Sequence, residues 1–234
     1  SEPHNWLTHH QNLEGYRFTN LNEINRFNVK NLKVAYTIPL GDVAEGSSGL
    51  GNHQSTPLVK DGFMYITGMW NVVYKVDLRG GQPKLVWKYD PESDPDIMGN
   101  PVTRGAALYD DAVIINTDDN RVVSIDDETG EMNWEVQVSS GQYDRLRAAP
   151  LVVDDVIMVI NTSGDQGARG WVAGFDPADG SELWRFWTVP KPGEPGSETW
   201  TDPDQVAWRT GGAAPWVTGM YDPDTMTYLV GTGN

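Results

Sequence analysis

The sequence contains no cysteine, so neither a disulfide nor a cysteine-ligated metal site holds its fold together. Basic residues are also scarce: 17 Lys+Arg stand against 33 Asp+Glu, and 17 − 33 gives a net charge of −16. Such an acidic chain repels a phosphate backbone, which argues against nucleic acid as a partner. Its uncharged apolar runs are only a few residues long, far short of the roughly 20 that span a bilayer. We therefore expect a packed core and no membrane span.

Glycine, proline and tryptophan are abundant by contrast. The 234 residues include 25 Gly, 15 Pro and 10 Trp. Many turns combined with large aromatic anchors are typical of repeated short β-strands and not of a helical bundle. The length is enough for one or two domains.

One segment recurs three times along the chain. Each copy is an alternating strand that ends in Asp, followed by a Gly-containing turn and a Trp. The copies run from Val73 to Trp87, from Val123 to Trp134 and from Val172 to Trp184, with the Trp residues 47 and then 50 positions apart. Each copy follows two apolar runs joined by Asp-Gly or Asp-Asp, which is the turn chemistry of antiparallel hairpins.

This period predicts an all-β fold, a β-propeller, because 40–50 residues carrying several short strands make one blade. A β-sandwich also has short alternating strands, but it would not repeat the same residues at a fixed interval. Residues 50–188 are predicted to form three Trp-ended blades, and 213–234 the start of the next. Residues 1–36 precede them as an N-terminal segment, with a strand at 28–36 that closes a ring. A Pro/Gly-rich loop at 189–212 is long enough to suggest function.

Three blades and the start of a fourth do not close a ring, since propellers have about four to eight. Repeat units cannot bury their faces without neighbours. We therefore expect residues 1–234 to lie against a second chain, or a continuation of this one, that carries the remaining blades.

Several separately placed motifs resemble one known family. They are Asn5-Trp6-Leu7-Thr8, Thr103-Arg104-Gly105, Gly164-Asp165-Gln166-Gly167-Ala168-Arg169-Gly170, Gly211-Gly212 before Trp216, and Gly231-Thr232-Gly233-Asn234. Together, and over the whole chain, they resemble the methanol/ethanol dehydrogenases that depend on pyrroloquinoline quinone (PQQ). The resemblance implies an eight-bladed propeller of which this chain is the N-terminal half. It also implies PQQ on the propeller axis beside a metal ion, either Ca²⁺ or a lanthanide.

The resemblance further implies which residues contact PQQ, a planar tricarboxylate. Trp216 matches the indole that stacks on the quinone, the alternative being another core Trp. Arg104 matches the arginine that pairs with a PQQ carboxylate, a role suited to a bidentate guanidinium; the alternative is an exposed surface Arg. The remaining cofactor-contacting positions are Gln54, Met98, Gly99, Arg147, Thr162, Ser163 and Gly164.

The metal ligands implied by the resemblance are Asp165 and Asn234. Calcium-like ions take carboxylate and amide oxygens, although an ordinary turn Asp is the alternative for Asp165. The family's general base is an Asp expected beyond Asn234, so no catalytic residue is named. The adjacent His9 and His10 are not expected to bind metal, because neighbours on a flexible terminus rarely point at one ion.

Some positions depart from the family pattern. Met98-Gly99 stand where many relatives have an adjacent Cys pair, and a Met thioether can still cap an aromatic ring. Gln54 and Asp165 stand where Glu is common, and Arg147 replaces a Thr. These departures indicate a divergent branch.

The resemblance implies a periplasmic enzyme that oxidises a small alcohol or an aldehyde and passes electrons to a cytochrome c. The alternative is a non-catalytic PQQ-repeat propeller that serves as a protein-binding scaffold. A scaffold needs the repeats but has no use for the combination of Arg104, Asp165, Trp216 and Asn234. We therefore favour the enzyme.

Overall fold

The computed structural model describes residues 4–41, 52–98, 102–202 and 204–233. Within them the chain forms sixteen strands: β1 (Asn52–His53), β2 (Leu58–Lys60), β3 (Phe63–Thr67), β4 (Val73–Asp77), β5 (Lys84–Tyr89), β6 (Val102–Thr103), β7 (Ala106–Tyr109), β8 (Ala112–Asn116), β9 (Arg121–Asp126), β10 (Met132–Gln137), β11 (Leu151–Val153), β12 (Val156–Ile160), β13 (Trp171–Phe175), β14 (Glu182–Trp187), β15 (Met220–Asp222) and β16 (Thr227–Leu229).

Helical structure in the same residues is short. It comprises one α-helix, α1 (Pro95–Met98), and the 3-10 helices Val29–Asn31, Met69–Asn71, Gly164–Gln166, Ser197–Thr199 and Ala207–Thr210. None of these described helices is long and apolar enough to cross a bilayer.

Twelve of the strands form three four-stranded antiparallel sheets, β2–β5, β7–β10 and β11–β14, which we call blades 1, 2 and 3. The strands of each blade follow chain order. The first turn of each blade begins with an Asp in the left-handed region, Asp61, Asp110 and Asp154, with φ of 53°, 47° and 46°. Aspartate tolerates this conformation better than most residues, so the Asp-containing turns form where the sequence predicts them. The hairpin β15–β16 follows blade 3.

Apolar side chains fill the space between successive blades. Blades 1 and 2 share a cluster of fully or almost fully buried residues that includes Leu58, Tyr65, Val73, Val113, Ile115, Val123 and Ile125. Blades 2 and 3 share a second cluster that includes Ile114, Val122, Leu146, Ile157, Val159, Trp171 and Phe175. Each blade therefore depends on its neighbour for a buried core.

The Trp of each repeat connects one blade to the next. Trp87 in β5 donates its indole N–H to the carbonyl of Asp127, at 2.8 Å, in the β9–β10 turn of blade 2. Trp134 in β10 donates in the same way to Pro177, at 3.0 Å, in the β13–β14 turn of blade 3. A Cβ atom on Gly130 would lie 2.7 Å from the Trp87 ring. The Gly and the Trp of the repeat are thus two halves of one inter-blade contact.

Residues 28–36 do not form the predicted ring-closing strand. Val29–Asn31 is a 3-10 helix, and the chain continues to residue 41 without a strand. Val34 is 83% exposed. A strand needs a neighbour for its main-chain N–H and C=O groups, and no described strand pairs with this segment, so strand propensity alone does not form one.

The residues that follow this segment, up to residue 40, cover one side of blade 1. Ile38 and Leu40 pack against the cluster of Val72, Tyr74 and Val76, and the Tyr74 hydroxyl donates to the Leu40 carbonyl at 2.6 Å. The outer flank of blade 1 is therefore partly covered by the chain that leads into it.

Candidate functional site

Arg104 and Trp216 come from distant parts of the sequence and meet in the structure. The guanidinium carbon of Arg104 lies 5.0 Å from the centroid of the Trp216 ring, within the range of a cation–π contact. Arg104 is only 7% exposed, whereas Trp216 is 43% exposed. The indole thus contacts the guanidinium group and leaves much of its surface open.

A parallel ladder places Gln54 alongside Arg104. β1 pairs with β6 in parallel, and the pairing continues through Gln54 N–H to Thr103 O at 3.3 Å and Thr56 N–H to Arg104 O at 3.1 Å. Gly105 follows with φ of 135°, and a Cβ there would lie 3.3 Å from the Thr56 carbonyl oxygen. Glycine is required at this position because a larger residue would disturb both the conformation and the ladder.

Arg147 is held by a buried carboxylate. Its Nε donates to the two oxygens of Asp118 at 2.9 and 3.2 Å, and the Asp118 side chain is 0% exposed. Burial raises the pKa of Asp118 to about 6, against the opposing effect of the Arg147 charge. The Asp118 N–H also donates to the side-chain oxygen of Asn71 at 2.9 Å. Both partners of the ion pair are therefore fixed.

Three arginines lie around Asp118. Burial lowers the pKa of Arg104 and of Arg145; the charge of Arg147 lowers both further, while that of Asp118 raises both. Arg104 also donates through Nη1 to the Arg147 carbonyl at 3.4 Å. Asp118 is further influenced by the adjacent Asp119, and Arg145 by Asp144. Guanidinium groups gathered in this way are suited to an anionic ligand.

Thr162, Ser163 and Gly164 lie next to Arg147. They lead from β12 into the 3-10 helix Gly164–Gln166, and the Arg147 N–H donates to the Thr162 hydroxyl at 3.2 Å. Thr162 and Ser163 are buried, and the Ser163 N–H donates to the Asn161 side-chain oxygen at 3.2 Å. The structure therefore brings these predicted residues together with Arg147, and their contact with a ligand stays a prediction.

The predicted metal site is only partly described. Asp165 lies exposed in the 3-10 helix Gly164–Gln166. Asn234 and Gly99 lie outside the described residues, and so does the side chain of Met98, the last residue of α1. No group of three or more His, Asp or Glu side chains in the described part of the chain is arranged to hold an ion. The two-ligand assignment stays a prediction.

His9 and His10, for which the sequence predicted no role in metal binding, lie near the segments that carry Arg104 and Trp216. His9 and His10 are buried, so the expectation of a flexible terminus is wrong. The His9 ring packs edge-on against the His10 ring, with centroids 4.7 Å apart. His10 donates from Nε2 to the carbonyl of Thr218 at 2.9 Å, two residues beyond Trp216. No periodicity in the sequence marks these contacts.

Asp118 was not predicted as a site residue from the sequence. Its position does carry a signal, because Asp118 and Asp119 directly follow the buried strand β8 and the buried Thr117. Consecutive acidic residues at the end of a core strand need buried partners, since an unpaired buried carboxylate is costly. The partner, Arg147, lies two strands away in sequence and is not predictable from spacing.

A family model for the PQQ-type β-propeller domain of glucose, ethanol and alcohol dehydrogenases matches residues 6–234. The chain belongs to this family. The match covers nearly the whole chain, which agrees with the resemblance carried by the motifs.

Individual relatives of the PQQ propeller family share about a third of their residues with the chain. A quinohemoprotein alcohol dehydrogenase ADH-IIG of Pseudomonas putida is 34% identical over 100% of this chain and 33% of its own length. A lanthanide-dependent methanol dehydrogenase of Methylorubrum extorquens is 32% identical over 93% of this chain and 38% of its own length. The chain therefore spans between a third and two fifths of these relatives.

The solved structure of ADHIIG from P. putida HK5 superposes on all of this chain with a TM-score of 0.87 at 31% identity, and the match covers 35% of that structure. The predicted β-propeller class is confirmed, and the described blades are part of such a propeller.

The residues of the site suit PQQ. A planar tricarboxylate needs a flat apolar surface and cationic hydrogen-bond donors, and Trp216 together with Arg104 and Arg147 provides both kinds of group within one cluster. The guanidinium groups of Arg104 and Arg147 are the kind of donors that pair with the carboxylates of such a ligand.

Proposed function

We propose that this chain forms part of the cofactor site of a PQQ-dependent alcohol dehydrogenase. The observation that carries the proposal is the contact between Arg104 and Trp216, which are 112 positions apart in the sequence (216 − 104) yet lie 5.0 Å apart by guanidinium carbon and ring centroid. A propeller kept only as a scaffold requires neither this pair nor the buried ion pair behind it.

Each residue has a role that follows from its environment. Trp216 presents an open indole surface on which a planar ring can stack. Arg104 is buried and held by the β1–β6 ladder, so its guanidinium group reaches the ligand with little loss of conformational freedom. Arg147 is fixed by Asp118 and adds a second donor for a carboxylate. Bound PQQ supplies a quinone that accepts the electrons removed from an alcohol.

A divalent or trivalent metal ion is part of the proposal, with Asp165 and Asn234 as ligands. Their carboxylate and amide oxygens are donors that calcium-like ions prefer. The relative from M. extorquens is named a lanthanide-dependent enzyme, and this supports a lanthanide as one of the two candidates, Ca²⁺ being the other.

The proposal extends to the whole protein. We infer that a small alcohol or aldehyde is the substrate, that a cytochrome c accepts the electrons, and that the enzyme acts in the periplasm. The remaining blades and the catalytic Asp are supplied by a second chain or by a continuation of this one. Support comes from the family to which the chain belongs and from the names of its relatives as alcohol dehydrogenases.

The test is direct measurement of PQQ binding by absorbance titration of the purified protein. We expect Trp216→Ala and Arg104→Met each to weaken PQQ binding by about tenfold or more, because a stacking surface or a charged donor is lost. The matched control is Arg79→Met, which changes an exposed arginine of blade 1 and should leave affinity unchanged.

Unchanged PQQ affinity in both site variants would refute the proposed site. A wild-type protein that does not bind PQQ at all would favour the scaffold alternative. Metal analysis of the same samples tests the ion independently: we expect Asp165→Asn to lower the bound Ca²⁺ or lanthanide content without unfolding the blades.

A further inference from the structure

We propose that His10 acts as a positioning residue that holds Trp216 in contact with Arg104, and that the His9 ring packed against it supports this role. The inference rests on the proposed function for its consequence, PQQ affinity, but its structural core concerns this chain alone. His10 is hydrogen-bonded to the main chain of Thr218, two residues beyond Trp216, and its ring contacts that of His9.

His10 makes two well-defined polar contacts. Arg17 lies 3.0 Å through Nε and 2.9 Å through Nη2 from the His10 Nδ1 atom. Because a guanidinium group only donates, Nδ1 must be the acceptor. The proton is then on Nε2, which donates to the Thr218 carbonyl at 2.9 Å. His10 therefore connects Arg17 to the segment carrying Trp216.

Thr218 transmits this contact to the blades. It is buried, and its hydroxyl donates to the Ala149 carbonyl at 2.8 Å, immediately before β11. His10 and Ala149 thus hold Thr218 through different atoms, and both restrict the position of Trp216 two residues earlier.

His9 packs beside His10. Its ring is buried against the His10 ring, with centroids 4.7 Å apart at an interplanar angle of 71°. Its Nδ1 atom is buried without a hydrogen-bond partner. The His9 ring therefore supports the position of His10 through packing.

The N-terminal segment that carries both rings is itself fixed at two ends. Trp6 pairs with Val59 of β2 in both hydrogen-bond directions, at 2.8 and 2.9 Å. The Leu13 carbonyl accepts from Tyr221 N–H of β15 at 2.8 Å. The segment therefore runs from blade 1 to the β15–β16 hairpin, and the two histidines lie between these attachments.

The groups that act electrostatically on His9 come from two segments. They are His10 and Arg17 from the N-terminal segment and Arg104 directly after β6. Each of the three disfavours a proton on His9 electrostatically, and no carboxylate is among the groups that act on it. Protonation of His9 would thus place a charge near Arg17 and Arg104.

The experiment compares His10→Leu, His10→Gln and the exposed control His4→Gln in the intact protein. Hydrogen exchange with mass spectrometry reports on peptides covering 102–108 and 214–220 before PQQ is added, and a PQQ titration follows. We expect His10→Leu to speed exchange in 214–220 by about tenfold and to weaken PQQ binding by a similar factor. His10→Gln should recover both, since its amide can still donate to Thr218 and accept from Arg17. His4→Gln should behave as wild type.

The outcomes separate the two proposals. Wild-type exchange and PQQ affinity in His10→Leu would overturn the positioning role, and so would a uniform rise in exchange over all blades with unchanged affinity, which signals a stability effect only. If wild type binds no PQQ but His10→Leu still speeds exchange locally, the positioning contact stands and the proposed function fails.

Discussion

At the scale of single residues, the site depends on charges that are buried and paired. Burial raises the pKa of Asp118, while the charge and hydrogen bond of Arg147, and the charge of Arg145, favour its ionised form. Removing one member of a buried pair leaves an uncompensated charge, which costs more than the pair contributes.

Asp118→Asn should therefore destabilise the protein by about 3 kcal/mol, whereas the double variant Asp118→Leu with Arg147→Met should recover most of that loss. The free energy of unfolding from urea denaturation measures both. Asp77→Asn, at the exposed Asp77–Arg79 pair, is the control and should leave the unfolding midpoint unchanged. A single variant as stable as wild type would contradict the importance of the pair.

His9 makes stability depend on pH. Burial first, and then the electrostatic effects of the neighbouring His10 and Arg17, lower the pKa of His9 from 6.5 to about 4 in the folded protein. Between pH 6.5 and about 4, His9 is protonated in the unfolded chain but not in the folded one. The free energy of unfolding therefore falls as the pH is lowered through this range.

His9→Asn should reduce the slope of the unfolding midpoint against pH between pH 6.5 and 4, and His4→Gln should retain the wild-type slope. Midpoints from thermal unfolding at a series of pH values measure this. The same slope in all three proteins would show that His9 does not titrate with folding.

At the scale of structural elements, the repeat encodes the contact between blades. Equivalent turns of the three blades carry Gly81, Gly130 and Gly180, all with φ between 72° and 75°. The Trp134 ring lies 2.7 Å from a Cβ built on Gly180, whereas nothing lies within 4 Å of one built on Gly81. Glycine is therefore favoured at position 81 only by its positive φ, whereas at position 180 it is favoured both by a positive φ and by close packing against Trp134.

Gly180→Ala should lower stability by about 1–3 kcal/mol more than Gly81→Ala, because only the first adds overpacking to the strain of a positive φ. Thermal or urea unfolding of the two variants gives the difference. Equal losses would mean that Trp134 moves aside and that the inter-blade contact is not tightly packed.

At the scale of the whole molecule, one flank of blade 3 remains open. Trp184 and Phe186 of β14 occupy the positions that Trp134 and Val136 have in β10, yet Trp184 is 42% exposed and Phe186 is more exposed still. Their counterparts in blade 2 are packed against the following blade. In the described part of the chain, the hairpin β15–β16 does not cover Trp184 and Phe186. A following four-stranded blade would bury them, as blade 3 buries their counterparts in blade 2.

Residues 1–234 alone should consequently fail to form a stable monomer, because large apolar patches are rarely left in water. Size-exclusion chromatography with mass spectrometry should show association or binding to a chain that carries further blades. The net charge of −16 favours solubility but does not bury a flank. A monodisperse monomer of 25.9 kDa would contradict the open-flank interpretation.

The sequence by itself was sufficient to predict the all-β propeller class and the blade repeats, because the Asp and Gly of each unit form hairpin turns locally and the Trp recurs at a nearly fixed period. The motifs were also sufficient to assign the family. Arg104 and Trp216 were predicted as ligand residues by their place in those motifs; the structure brings their side chains into contact, and their role toward a ligand stays a prediction.

Only the tertiary structure decided which residues meet. Strand propensity in 28–36 did not produce a strand because no described strand is available to pair with it. The ion pair of Arg147 with Asp118, and the position of His9 and His10 beneath the site, depend on segments that are far apart in sequence and carry no common period. The N-terminal segment is a further example, because its local sequence suggested a flexible terminus. In the structure His9 and His10 are buried, and the segment is attached to blade 1 and to the β15–β16 hairpin.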